Sequence, residues 1–205
     1  MPTINGQRVP DKIVKFDADV PTLAATKTIT GATDASPIVI TAASHGYNNG
    51  DFVFITGVAG NTAANGIRIV ANKATNTFEA TDLSGDNVAG NGTYTVGGTA
   101  QKFSANPTVG IGLDMWLVKS RLVNTTAGAI TFNMMDGQAP GTFKYDAVSL
   151  AADSLTLEVL GTAIPEKCAN GCAVWASATG VQGVIEGYET QIDMVTPAAG
   201  FSQPA

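Results

Sequence analysis

Charge is what this chain of 205 residues has least of. Asp, Glu, Lys and Arg make up 14% of it, against roughly 25% in ordinary soluble domains. The surface must therefore be covered by Thr, Ser, Asn, Gln and Gly, as on proteins that pack against copies of themselves. The eleven basic residues are scattered and the net charge is −6. No basic stripe can follow a phosphate backbone, which argues against a nucleic-acid partner. No run approaches the ~18–20 consecutive apolar residues of a membrane span, so no membrane partner is expected. The first residues, Met1-Pro2-Thr3-Ile4-Asn5-Gly6, lack the basic start and apolar run of a secretory signal. The expectation is synthesis in a cytoplasm, with the final location a separate question.

Histidine and cysteine are nearly absent. His45 is the only imidazole, so any mechanism that needs one must use it. Catalysis would require a nucleophile and an orienting carboxylate within hydrogen-bond reach. Ser44 is adjacent, but neighbours along a strand face opposite ways, and the segment Ser44–Asp51 reads as a turn turned by Asn48, Asn49 and Gly50. Cys168 and Cys172 flank Ala169-Asn170-Gly171. Asn-Gly favours a type I′ hairpin turn, so the two cysteines are expected to face each other as buried thiols, with a late-forming disulfide as the alternative. Two cysteines fall short of the four ligands of a structural zinc site. Amphipathic helices are also missing; a helix over Tyr145–Leu157 fails on spacing, with Asp153-Ser154 inside it.

What the chain does have is short β-branched and aromatic runs cut apart by Gly, Asn and Asp, densest from Pro37 to Gly98. Six strands are expected there: Lys27–Thr30, Ile38–Ala42, Phe52–Thr56, Ile67–Ala71, Thr77–Thr81 and Thr93–Val96. Phe52-Val53-Phe54-Ile55 is apolar at both parities, as in a strand buried on both faces, whereas Thr93-Tyr94-Thr95-Val96 alternates cleanly. Strands at 8–14-residue spacing with turn chemistry between them predict a sandwich or barrel. Phe103–Gly112, with Asn106-Pro107, reads as a boundary. Beyond it come larger side chains in Leu113–Val123 and strand-like runs at Ala129–Met135, Leu155–Leu160, Ala173–Ala178 and Val181–Ile192. The fold class expected is all-β, in four parts. Residues 1–25 form an extended arm, broken by Pro2, Pro10 and Pro21. Residues 26–103 form a small turn-rich β module and 104–195 a β-sandwich module. Residues 196–205 form an extended tail.

Other candidate sites have structural readings. Asp82 and Asp86 frame Leu83-Ser84-Gly85; calcium needs six to eight oxygens, so a solvated turn is favoured. Glu158, Glu166, Glu186 and Glu189 are separated by strands and turns; a hydrolase would need two of them facing across a cleft. Gly57-Val58-Ala59-Gly60 and Gly90-Asn91-Gly92 match no phosphate loop. Asn124-Thr125-Thr126 fits a glycosylation acceptor only by coincidence when no signal precedes it. Trp116 and Trp175 sit in apolar runs and read as core, with sugar stacking by either of them, or by Tyr47, as the functional alternative.

Taken in order, His45-Gly46-Tyr47-Asn48-Asn49-Gly50-Asp51, Ile55-Thr56-Gly57-Val58, Asn65-Gly66 and Asn76-Thr77-Phe78-Glu79 resemble a small β module common in bacteriophage virion proteins. The match covers about Ile38 to Thr99. The second half, through Val123–Thr131, Leu150–Leu160 and Trp175–Glu189, is similar more loosely to β-sandwich modules of tail, neck and capsid accessory proteins. The resemblance implies a non-enzymatic virion structural protein, foremost a capsid decoration or cement-type subunit. Its partners would be other virion proteins and copies of itself. The alternatives are a tail-tube or neck subunit, or a receptor-binding module whose ligand is a host-surface glycan. No catalytic, cofactor-binding or metal-binding residue carries over, and no cofactor is implied.

Overall fold

The computed structural model describes residues 3–4, 7–8, 13–109, 115–136, 143–158, 166–168 and 171–189. Among these the chain is all-β apart from one 3₁₀ turn at Thr62–Ala64. It opens with a two-stranded hairpin, β1 (Thr3–Ile4) against β2 (Gln7–Arg8), and then β3 (Ile13–Asp19). The first module follows with β4 (Lys27–Thr28), β5 (Gly31–Ala32), β6 (Ile38–Thr41), β7 (Phe52–Thr56), β8 (Gly66–Ala71), β9 (Thr77–Thr81) and β10 (Thr99–Lys102). The second comprises β11 (Thr108–Val109), β12 (Met115–Asn124), β13 (Ile130–Asp136) and β14 (Phe143–Leu150), then β15 (Ser154–Glu158), β16 (Glu166–Cys168), β17 (Cys172–Ala176) and β18 (Val181–Glu189).

The sheet of the first module runs β4-β10-β7-β8-β9-β6-β5. Its two outermost strands are consecutive in the chain. Lys27 and Thr28 pair with Ala100 and Thr99, while Gly31 and Ala32 pair with Thr41 and Ile40. Between them Ile29 N–H donates to Gly98 O and Thr30 N–H to Thr41 O. One extended segment thus bonds both edges, and the sheet closes into a barrel with no open edge. Alternation fills the interior: Ile38 and Ile40, Val53 and Ile55, Phe78 and Ala80, and Ala100 all point inward and are buried.

The last barrel strand is Thr99–Lys102, not the expected Thr93–Val96. That tetrapeptide alternates, but it runs beside the loop at Ala59, with Thr95 N–H donating to Ala59 O and Ala59 N–H to Val96 O. Tyr94 packs against the core while Val96 is exposed. Gly98 explains the offset: its φ is +105°, and a Cβ there would sit 2.5 Å from Val58 Cγ2, so the ladder begins only beyond it.

The second module is a two-sheet sandwich, β11-β17-β13-β14 over β15-β12-β18-β3, with β16 sharing the β15 side of β12. β3 pairs with β18 from Tyr188↔Ile13 to Gln182↔Asp19. This corrects the expected arm over residues 1–25: Ile13–Asp19 is a strand of the chain's own sandwich, since Ile13-Val14-Lys15-Phe16 can complete a sheet whose centre arrives much later in sequence. The barrel at 26–103 is therefore inserted between the first strand of the sandwich and the rest of it. The tail at 196–205 lies outside the described residues.

Two connectors cross the joint between the modules side by side. Ala24 N–H donates to Lys102 O, Ser104 N–H to Thr22 O, and Thr22 N–H to Ser104 Oγ. On the sandwich side Ala176 N–H donates to Pro21 O and Val20 N–H to Val181 O. Around them Phe52, Phe54, Ile67 and Ile69, on the outer barrel face, pack with Leu83 and Phe103 against Met135, Ala173 and Trp175 of the sandwich. The Trp175 ring centroid lies 5.3 Å from Phe54 and 5.8 Å from Phe103. β7 is apolar at both parities because one face lines the barrel and the other meets the sandwich.

β14 carries a bulge where Ala147 (φ +49°) donates its N–H to Asn133 Oδ1. The left-handed region costs an L-residue about 1 kcal/mol relative to glycine. Ala147→Gly is expected to raise unfolding stability by roughly 0.5–1 kcal/mol, read as a higher urea midpoint; a lower midpoint would count against the strain. Trp175→Ala, by emptying the joint, is expected to lower stability by about 3–5 kcal/mol in the same assay. A loss below about 1 kcal/mol would show that the joint does not depend on the indole.

Candidate functional site

The residues with most chemical promise cluster at one end of the barrel, and the fold joins segments far apart in sequence there. Ser44 N–H donates to Asn76 Oδ1, and Ala42 N–H to Asn76 O. His45 Nδ1 accepts from Tyr47 N–H at 3.0 Å, so Nε2 carries the proton and donates to Thr77 O at 3.3 Å. The rings of His45, Tyr47 and Phe78 form a triangle with centroids 4.8–5.6 Å apart. Tyr47 O–H crosses to Ala100 O. The His-Gly-Tyr and Asn-Thr-Phe segments are thus two halves of one aromatic plug. Gly57-Val58 and Asn65-Gly66 are joined in the same way: Val58 N–H donates to Asn65 Oδ1, and Asn65 Nδ2 returns a bond to Val58 O.

This geometry leaves His45 poorly placed for catalysis. It is 4% exposed, and both ring nitrogens are committed to the backbone. Ser44 is exposed while His45 is buried, so the adjacent hydroxyl and imidazole sit in different environments. The nearest turn carboxylate, Asp51, accepts from Asn48 N–H at 2.7 Å and pairs with Lys102 Nζ at 2.8 Å. It fixes the turn and ties it to β10.

Asp82 is similarly occupied. Its Oδ1 accepts from Ser84 N–H and Asp86 N–H, each at 2.9 Å, and Asp82 N–H donates to Asp86 O. The favoured turn reading describes this loop. Among the described residues no three His, Cys, Asp or Glu side chains group in a way that could hold a metal. Glu158, Glu166, Glu186 and Glu189 all fall in one sheet, the first two on strands on one side of β12 and the last two on β18 on its other side; their side chains lie outside the described residues. The backbones of β12 and β17 place Trp116 and Trp175 in different sheets. Trp175 and Tyr47 are only 5% and 4% exposed, so neither presents a face on which a sugar could stack. The Trp116 side chain lies outside the described residues.

The expected face-to-face cysteines are both buried, but not across a hairpin. Cys168 pairs into the β12 sheet and Cys172 into the β13 sheet, so the two belong to opposite layers. Asn170 lies outside the described residues.

Three polar anchors escape a reading of the sequence. Arg68 stands in β8 among apolar neighbours and is 7% exposed. Its guanidinium donates to Ile67 O, Ala63 O and Asn65 O, clamping the 3₁₀ turn, while Nε is buried without a partner. Burial lowers its pKa to about 10 against the opposing pull of Asp82, so it remains a cation at neutral pH. Asn124, 1% exposed, donates through Nδ2 to Gly128 O, Leu150 O and Ala151 O and accepts at Oδ1 from Thr126. An amide so committed does not present itself as a glycan acceptor. Asn61 links two loops, donating to Thr33 O and accepting from Asn91 N–H. A pattern of single polar residues inside apolar runs was the available signal for Arg68.

Comparison with protein-family models gives no match, and neither does comparison with curated proteins.

Burial, with a lesser contribution from Asp51, pushes the Tyr47 phenol up from 10.0 to about 12. Between these values an unfolded tyrosine has lost its proton and the folded one has kept it. The unfolded state then binds fewer protons, so stability falls as pH rises; below pH 10 the contribution is intact. The loss should amount to at most about 2.7 kcal/mol, two pH units at about 1.36 kcal/mol each. Urea unfolding of the native chain and of Tyr47→Phe across this range is expected to differ by that slope. Parallel pH dependences would refute it.

Proposed function

We propose that this chain is a non-enzymatic structural subunit of a bacteriophage virion, placed on the capsid surface as a decoration or cement-type protein. The observation that carries the reading is the pairing of the four segments that resemble the phage module. His45–Asp51 meets Asn76–Phe78, and Gly57-Val58 meets Asn65-Gly66, so together they form one mechanical unit, the plug and turns of a closed barrel. The polar groups in it serve the barrel's own turns. What such a module offers a partner is shape and surface, with little available for chemistry.

The mounting of the barrel supports the same reading. It is inserted into the sandwich, tied by two adjacent connectors and seated on an apolar joint. Rigid attachment at two points suits a part that transmits contacts between neighbours. Because β3 belongs to the chain's own sandwich, the reading assigns contact with other subunits to the weakly charged, Thr-, Ser-, Asn- and Gly-rich surfaces of both modules. The glycan-binding alternative loses two of its three aromatic platforms, Tyr47 and Trp175, to the interior.

The test is quantitative mass spectrometry of intact, gradient-purified phage particles from the source of the chain. The expected result is this chain at a copy number comparable with the major capsid subunit. A copy number matching a single ring would move it to the neck. Absence from intact particles, with the chain found only in the soluble lysate, would overturn the virion reading.

A further inference from the structure

The only two cysteines of the chain meet in the core of the sandwich, although they belong to different layers. Cys168 ends β16, whose three residues pair with β12 at Met115, Trp116 and Leu117. Cys172 begins β17, an inner strand of the opposite sheet, where it pairs with Val109 on one side and Asp136 on the other. Both are 0% exposed within one apolar cluster that includes Val20, Leu122, Met134 and Val174. Both are free thiols, and Cys168 is a close neighbour of the Cys172 thiol.

We propose that Cys168 and Cys172 form a redox staple, an intramolecular disulfide that ties a short strand of one sandwich sheet to an inner strand of the other. Thiols packed only as apolar filler need not touch. Here the two that the sequence possesses are brought into contact by strands of separate sheets. Closing the bond would fix the relative position of the layers at the point where the chain passes between them.

The surroundings also set when the bond forms. The neighbouring Cys168 thiol, burial and the Asp136 charge push the Cys172 thiol well above its ordinary pKa, and the thiolate is the attacking species. The docked pair is therefore slow to react. Undocking β16, a three-residue strand, gives a reagent access through a small local opening. The oxidant is a low-molecular-weight disulfide. One cysteine thiolate attacks it, forming a mixed disulfide and releasing one small thiolate. The second cysteine thiolate attacks the protein-bound sulfur and releases the other. The two protons lost by the cysteines leave on the two small thiols, and the two electrons reduce the small disulfide. A reducing cytoplasm keeps the pair as thiols; an oxidising exterior closes the staple.

The experiment equilibrates the full-length chain in buffers of oxidised and reduced glutathione, both folded and in unfolding urea. The folded samples include chain refolded in the same buffer, so that buried thiols cannot escape equilibrium. The disulfide is read by mass and by peptide mapping without reductant. The expected result is one Cys168–Cys172 bond within the chain, forming in the folded state at an oxidised-to-reduced ratio at least about tenfold lower than in the unfolded state. The oxidised chain should also melt at a higher temperature than the reduced one. Cys168→Ser and Cys172→Ser, each of which buries a hydroxyl in the apolar cluster, should each melt at the same temperature under oxidising and reducing conditions. Equal ratios for folded and unfolded chain, bonds only between chains, or a lower melting temperature on oxidation would each overturn the proposal.

Discussion

The chain crosses the joint between barrel and sandwich twice, and Trp175 fills the space beside the two crossings. Because the barrel is inserted, its first and last strands both have to reach the same place on the sandwich. The connectors solve this by bonding to each other and to Val181 and Ala176 of the sheets beneath. The indole packs against Phe54 and Phe103, one on a barrel strand and one at the exit from the barrel. A single apolar contact region thus sets how the barrel sits, brings β3 alongside β18, and lets the sandwich be completed by a strand made before the barrel.

Within the barrel the governing constraint is closure. A sheet left open at β4 and β5 would present two rows of unpaired backbone groups, and the segment from Lys27 to Ala32 supplies partners to both edges. The ends are then sealed by side chains in place of long loops. One is filled by the His45, Tyr47 and Phe78 rings. Elsewhere Asn61, Asn65, Asn91 and Arg68 bind loop carbonyls and amides. This accounts for the scarcity of charge: amides and hydroxyls satisfy backbone groups without the desolvation penalty of an ion. Arg68 is the exception, and three carbonyls compensate it. A protein whose polar residues are so used is suited to be a building part, consistent with the proposed virion role.

Legibility in the sequence followed the range of the forces involved. Five of the six expected barrel strands are present, because alternation and turn residues act within a few positions. Thr93–Val96 misled because alternation is also what a segment shows when one side chain, Tyr94, packs and its neighbours do not. β14 was not expected; its bulge at Ala147 uses a residue that gives no turn signal. β3 and β16 were hidden for a different reason. Each is completed by a partner distant in sequence, β3 by residues of β18 and β16 by β12. The roles of His45, Asp82 and Trp175 were read as turn and core from their local setting. Those of Arg68 and Asn124 depend on carbonyls contributed by several loops, and no local pattern announces that.

By itself the sequence determined an all-β chain, the turns that punctuate it, and the scarcity of groups available for chemistry, because strand period and turn conformation are properties of neighbouring residues. Only the tertiary structure decided that the first sheet closes on itself, that the barrel is inserted into the sandwich, and that Cys168 and Cys172 meet from different layers. Those outcomes rest on strand pairings that span tens to more than a hundred positions, which are formed by packing once the strands exist.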